Sequence, residues 1–95
     1  MDKSKIPKSV TIFGYRIRVV QKDIEEHGLS DLDARTIYLK ESDSESEKQA
    51  SLFHELIHMS LAISGLSFDL TEGKEEAIVR CLEHALWPLL KRTWK

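Results

Sequence analysis

The run His54-Glu55-Leu56-Ile57-His58 sets two imidazoles four residues apart with a carboxylate between them. On a helix, residues four apart lie one turn apart on the same face, so both rings can converge on one metal ion. Glu55 projects about 100° round the axis from His54. From there its carboxylate can reach a water activated at the metal without binding the metal itself. Two imidazole ligands, one general base and an open coordination position are what hydrolytic zinc chemistry requires. Average residue frequencies produce this triplet in roughly 0.3% of random chains of such length. The competing reading is a buried helix whose histidines are hydrogen-bonded core residues.

A catalytic zinc needs a third protein ligand. His27 lies in an acidic loop and reads as polar surface, and His84 points away from the apolar stripe of its helix and reads as exposed. Glu75 and Glu76 follow His58 by 17 and 18 residues, at the start of a second helical pattern. Glu75 falls at the centre of that helix's apolar stripe, in line with Val79, Leu82 and Leu86. Glu76 flanks the stripe, where it can line a cleft. A carboxylate facing inward needs a cation to satisfy it. Both acids also suit a helix N-terminus, where the macrodipole favours negative charge, so the wheel leaves the two open.

The elements that must position these groups are legible in outline. Residues 10–20 are β-branched and aromatic, with alternation at Phe13, Tyr15, Ile17 and Val19. Gly14 interrupts them, which predicts a bulge or tight turn between two short strands. Residues 22–33 are polar and read as a loop or short helical turn. Residues 35–40 form a further β segment that pairs with the first. Ser42 with Glu45 and Ser44 with Glu47 are overlapping capping boxes, opening a helix over about 45–64 that Gly65 closes. Its apolar residues fall nearly all round the wheel, so it must lie between the sheet and another helix. That second helix covers about 72–91, with Ile78, Val79, Leu82, Ala85, Leu86, Leu89 and Leu90 as its core stripe. Pro88 should kink or fray its last turn. Trp87 and Trp94 are expected to shield the core edge. The fold class is therefore α+β: a small antiparallel sheet on two main helices, the first carrying the motif.

With 95 residues, 41% hydrophobic and 32% charged, the chain makes one domain, residues 1–95, with its β part over about 8–40. Residues 1–22 carry six Lys or Arg against Asp2, and residues 23–47 carry nine acids against Arg35 and Lys40. These charges read as solvated faces. A net charge of −2 leaves no nucleic-acid footprint. No apolar run approaches membrane-spanning length and the first residues are charged, so neither a membrane nor a signal peptide is expected and the location is cytoplasmic. One cysteine, Cys81, excludes a multi-cysteine metal site and reads as a small core residue.

Taken together, these features resemble the small gluzincin-type metallopeptidase domains of phages and mobile elements, relatives of the ImmA/IrrE group. The resemblance runs from the β segment around Gly14 through residues 35–39 to Leu86. It is strongest at His54-Glu55-Leu56-Ile57-His58 and at Glu76-Ala77-Ile78-Val79-Arg80-Cys81-Leu82. Family members carry a glutamate with apolar residues three, six and ten positions later; Glu76 meets this with Val79, Leu82 and Leu86, and Glu75 fits less well. The resemblance thus implies Zn2+ held by His54, His58 and Glu76, with Glu55 as catalytic base, in the cytoplasm of a bacterial host if phage-encoded. One departure is Arg80, where ImmA/IrrE members usually have Asn or Asp.

The expected activity is zinc-dependent hydrolysis of peptide bonds in a protein or peptide substrate, with the substrate strand adding to residues 35–39. Tyr15, Tyr38 and Arg80 are candidates for steadying the oxyanion. The alternative is a non-catalytic, zinc-stabilised binding or regulatory module of a phage or mobile element. A metal-free structural domain is a third reading.

Overall fold

The β-branched stretch folds as a hairpin. Strands β1 (Ser9–Ile12) and β2 (Tyr15–Lys22) are antiparallel, with Ile12 opposite Tyr15. Phe13 and Gly14 form the turn between them, with φ of 51° and 81°. Two positive φ values make the type I′ turn, whose twist matches that of the strands. Gly14 adopts this conformation freely, whereas Phe13 is strained there by about 1 kcal/mol. Phe13 is 67% exposed, so its ring gives little packing in return. Phe13→Asn is therefore expected to stabilise the protein by about 0.5–1 kcal/mol. A rise in denaturation midpoint at unchanged slope would show it.

The computed structural model describes residues 6–92. After β2 the chain forms β3 (Gly28–Asp31) and β4 (Thr36–Lys40), giving a four-stranded sheet in the order β1-β2-β4-β3. The expected pairing of residues 35–40 with the first β segment is present, but parallel, with Arg18 opposite Thr36 and Lys22 opposite Lys40. The sheet is therefore mixed, not wholly antiparallel. The cause is β3, which lies in the stretch expected to be a loop. It reverses the chain once more, so β4 enters the gap between β2 and β3 running in the direction of β2. The Asp31 carboxylate accepts from the Ala34 N–H at 3.1 Å and Arg35 takes a φ of 49°, which closes the β3–β4 turn.

Helix α1 (Glu45–Ile63) opens on the Ser44/Glu47 box: the Glu47 N–H donates to Ser44 Oγ and the Ser44 N–H donates to the Glu47 carboxylate. Its inward face packs Leu52 and Met59 on Ile17, Val19, Ile37 and Leu39, the sheet's buried positions, with Ile6 at the margin. Lys48 is also buried and donates to Gln21 Oε1 at 2.7 Å, tying α1 to β2. A 3-10 turn (Leu66–Phe68) leads to α2 (Glu72–Leu90), capped by Thr71, whose hydroxyl accepts from the Lys74 N–H. α1 thus lies between sheet and second helix, as its wheel demands.

α2 does not use its apolar stripe as core. Only Val79 is buried, while Ile78, Leu82, Leu86, Leu89 and Leu90 remain exposed, Leu89 at 60%. Cys81, expected in the core, is exposed as well. The helix is rotated so that Glu75, Glu76 and Glu83 meet α1, and the side chains beside them on the wheel turn outward. Trp87 does reach α1, stacking on Phe53 at 5.5 Å. α2 stops two residues past Pro88, and Trp94 lies outside the described residues. Among the described residues no helix is long and apolar enough to cross a membrane.

Candidate metal centre

α1 presents His54 and His58 to α2, their rings 5.0 Å apart. Glu76 places one carboxylate oxygen 3.3 Å from His54 Nε2 and the other 3.3 Å from His58 Nε2. The other nitrogen of each ring is engaged by a different carboxylate: His54 Nδ1 with Glu83 at 2.8 Å, His58 Nδ1 with Glu75 at 2.7 Å. A carboxylate only accepts, so each Nδ1 carries the proton and donates, and a neutral ring then turns its Nε2 lone pair towards Glu76. With both rings neutral, three acceptors face one another, an arrangement satisfied by protons on the rings or by a metal cation between them. Ligand atoms of His54, His58 and Glu76 all lie within 4.8 Å of one another. A tetrahedral ion with bonds of about 2.0–2.1 Å has ligand–ligand edges of about 3.3 Å. The group can therefore hold a metal ion, and Glu75 and Glu83 sit where carboxylates orient metal-bound histidines.

Burial lowers the His58 pKa, but the Glu75 hydrogen bond and the fields of Glu76, Glu55 and Glu75 outweigh it, and the net shift is upward. Glu75 is held below its ordinary value by the Ser67 hydroxyl and by His58. That hydroxyl is buried beside the carboxylate without closing a well-aligned hydrogen bond. The signs fix a pH window for the metal-free protein. The His58 contribution is full below the unfolded imidazole value and fades as pH rises through its raised folded value. The Glu75 contribution is full above the unfolded carboxylate value and fades as pH falls through its lowered one. With metal removed, unfolding temperature should accordingly peak between the ordinary Glu and His values and decline above the latter. A pH series of thermal melts in chelator would show this.

Glu55 stands outside the cluster, with no hydrogen-bond partner among the described residues. Its side chain lies against β3: a Cβ on Gly28 would stand 3.0 Å from Glu55 Cγ and 3.2 Å from Oε2. Two hollows meet at this wall. One, about 360 Å³, runs along Leu29, Ser30 and Leu32 to Glu75 and Glu76. The other, about 310 Å³, holds His27, Ser51 and Glu83, and both include His54 and Glu55.

Some sequence-level expectations are redrawn here. β4 is paired on both edges, so residues 35–39 cannot receive a further strand; β3 is the edge beside α1. Tyr15, Tyr38 and Arg80 line neither hollow. Tyr15 stacks under Arg35 and Tyr38 under Lys22. His84 is exposed, as its place on the wheel implies. His27 is exposed too, yet borders the second hollow, its Nδ1 2.8 Å from Asp43. Glu83 went unnoticed, although it lies seven residues after Glu76, two turns along the same face. It supplies a carboxylate to His54 one turn beyond Arg80, where the resemblance places Asn or Asp.

Comparison with the curated proteins and with the solved structures finds no match. Residues 13–80, from the β1–β2 turn to the middle of α2, match the IrrE N-terminal-like domain, a peptidase family. With its motif helix, Glu75, Glu76 and most of its length inside that match, the chain belongs to the IrrE N-terminal-like domain family and carries a metallopeptidase-like domain.

Proposed function

We propose that this protein hydrolyses peptide bonds using Zn2+ held by His54, His58 and Glu76, with Glu55 as general base. The reading is carried by one observation: ligand atoms of two imidazoles and a carboxylate converge on a cation-sized gap beside Glu55, a carboxylate with no hydrogen-bond partner among the described residues. Two imidazoles and one carboxylate suit zinc and leave a position open. Bound there, zinc would supply Lewis-acid polarisation of the scissile carbonyl and acidify a water. Glu55 takes that water's proton on its carboxylate and passes it to the leaving amine. Glu75 and Glu83 hold both rings in the tautomer that keeps Nε2 available.

Substrate binding is assigned to β3. The Lys40 N–H donates to His27 O across the β3–β4 ladder. Antiparallel alternation then turns the backbone groups of Gly28 and Ser30 outward, along the free edge. An extended peptide adding there lies beside Glu55, its side chains entering the two hollows. The substrate is a protein partner inside the cell.

The test compares zinc-loaded, chelator-stripped and reloaded protein on a mixture of unstructured peptides, read by mass spectrometry. New peptide termini should appear, vanish and return. Stoichiometric zinc without any cleavage would leave a binding module instead. Gly28→Ala should keep its zinc and lose about tenfold in turnover, because the added methyl displaces the base by a few tenths of an ångström. Paired metal analysis and rate measurement on this variant would check it.

A further inference from the structure

A further hollow, of unlike chemistry, lies two strands away from β3. It is about 780 Å³, spans β2, and is lined by Lys8, Arg16, Arg18 and Arg35 with no acidic residue among its walls. The sheet builds it. The Val19 N–H donates to Lys8 O on one side of β2 and the Arg18 N–H donates to Arg35 O on the other, both at 2.9 Å. Arg16 and Arg18, two residues apart on one strand, share the face that α1 does not cover. Arg35 is held at a positive φ, and its guanidinium lies 4.3 Å over the Tyr15 ring.

Lys8, Arg16 and Arg18 are gathered in one concavity and repel one another, Arg35 borders it while its guanidinium reaches Tyr15 on the other face of β2, and among the described residues no carboxylate comes within ion-pair distance of any of them. The chain has acids to spare, nine of them in residues 23–47, yet none is used here. Guanidinium forks match carboxylates in pairs, and the backbone bonds set where the strands present them.

We propose that this hollow is a docking site for an acidic polypeptide segment of a partner protein. Nucleic acid fits less well: among the described residues no aromatic ring lines the hollow, the nearby Tyr38 ring lies under Lys22, and the whole chain carries a net charge of −2. Docking here is independent of turnover at Glu55.

Fluorescence anisotropy with a labelled oligoglutamate peptide and a labelled oligothymidylate of equal charge tests it on the full chain. The peptide should bind better than the oligothymidylate, and weaken as salt shortens the screening length. Arg16→Glu and Lys8→Glu should each lower peptide affinity at least about tenfold. Lys22→Glu, the same charge change on β2 outside the hollow, should lower it by under about threefold. Circular dichroism identifies any variant that fails to fold, and either of the first two suffices. No peptide binding, equal loss with Lys22→Glu, or tighter binding of the oligothymidylate through the same residues would each overturn the assignment.

Discussion

Glu76→Ala should lower zinc affinity by roughly 10³-fold, whereas Glu75→Ala and Glu83→Ala should each lower it only about 10–100-fold. The order follows from where the carboxylates sit. Glu76 spans both Nε2 atoms at 3.3 Å, while its neighbours touch only the far nitrogens. A tetrahedral protein site binds zinc with about 10–16 kcal/mol, so one donor of four is worth a few kcal/mol, and each 1.4 kcal/mol is tenfold. Losing Glu75 or Glu83 leaves the donor set whole and frees one ring to turn. Competition with a chromogenic chelator, run on all three variants, measures the order. A larger loss with Glu75→Ala would move the ligand by one residue.

Glu55→Gln should retain zinc at wild-type stoichiometry and lose about 10²–10⁴-fold in peptide turnover, the usual contribution of a positioned general base. The amide is isosteric and keeps its place against Gly28, but it cannot accept a proton at neutral pH. Because the residue makes no hydrogen bond to either histidine among the described residues, the two readouts should separate: metal analysis unchanged, cleavage lost. Full turnover in this variant would remove Glu55 from the chemistry. Loss of zinc alongside turnover would make it part of the donor set.

The amount legible in the sequence depended on how local each signal was. The capping box at Ser44 and Glu47 is a four-residue device and formed as written. The spacing of His54 and His58 needs only a helix to bring both rings to one face, and α1 supplies it. The strand at Gly28–Asp31 had no comparable signal: four residues, one of them glycine, too short for an alternating pattern. Missing it cost the parallel pairing of β2 with β4 and misplaced the substrate edge. The rotation of α2 was hidden for a different reason. A wheel ranks faces by apolar content, and here carboxylates meeting two histidines outweighed five aliphatic side chains. Read with the carboxylates as the inward face, the same wheel groups Glu76 with Glu83.

That rotation also decides how the domain comes apart. The sheet and α1 share a dry aliphatic core, whereas the contacts described for α2 are those of Val79, one aromatic stack and the histidine–glutamate pairs. An element held so largely through polar contacts opens at lower cost than one buried in hydrocarbon. An ion held by His54, His58 and Glu76 would then also be the rivet of the second helix. If zinc fills the centre as proposed, its scarcity should loosen α2, a fifth of the chain, while leaving the rest folded, and free an aliphatic flank already turned to water.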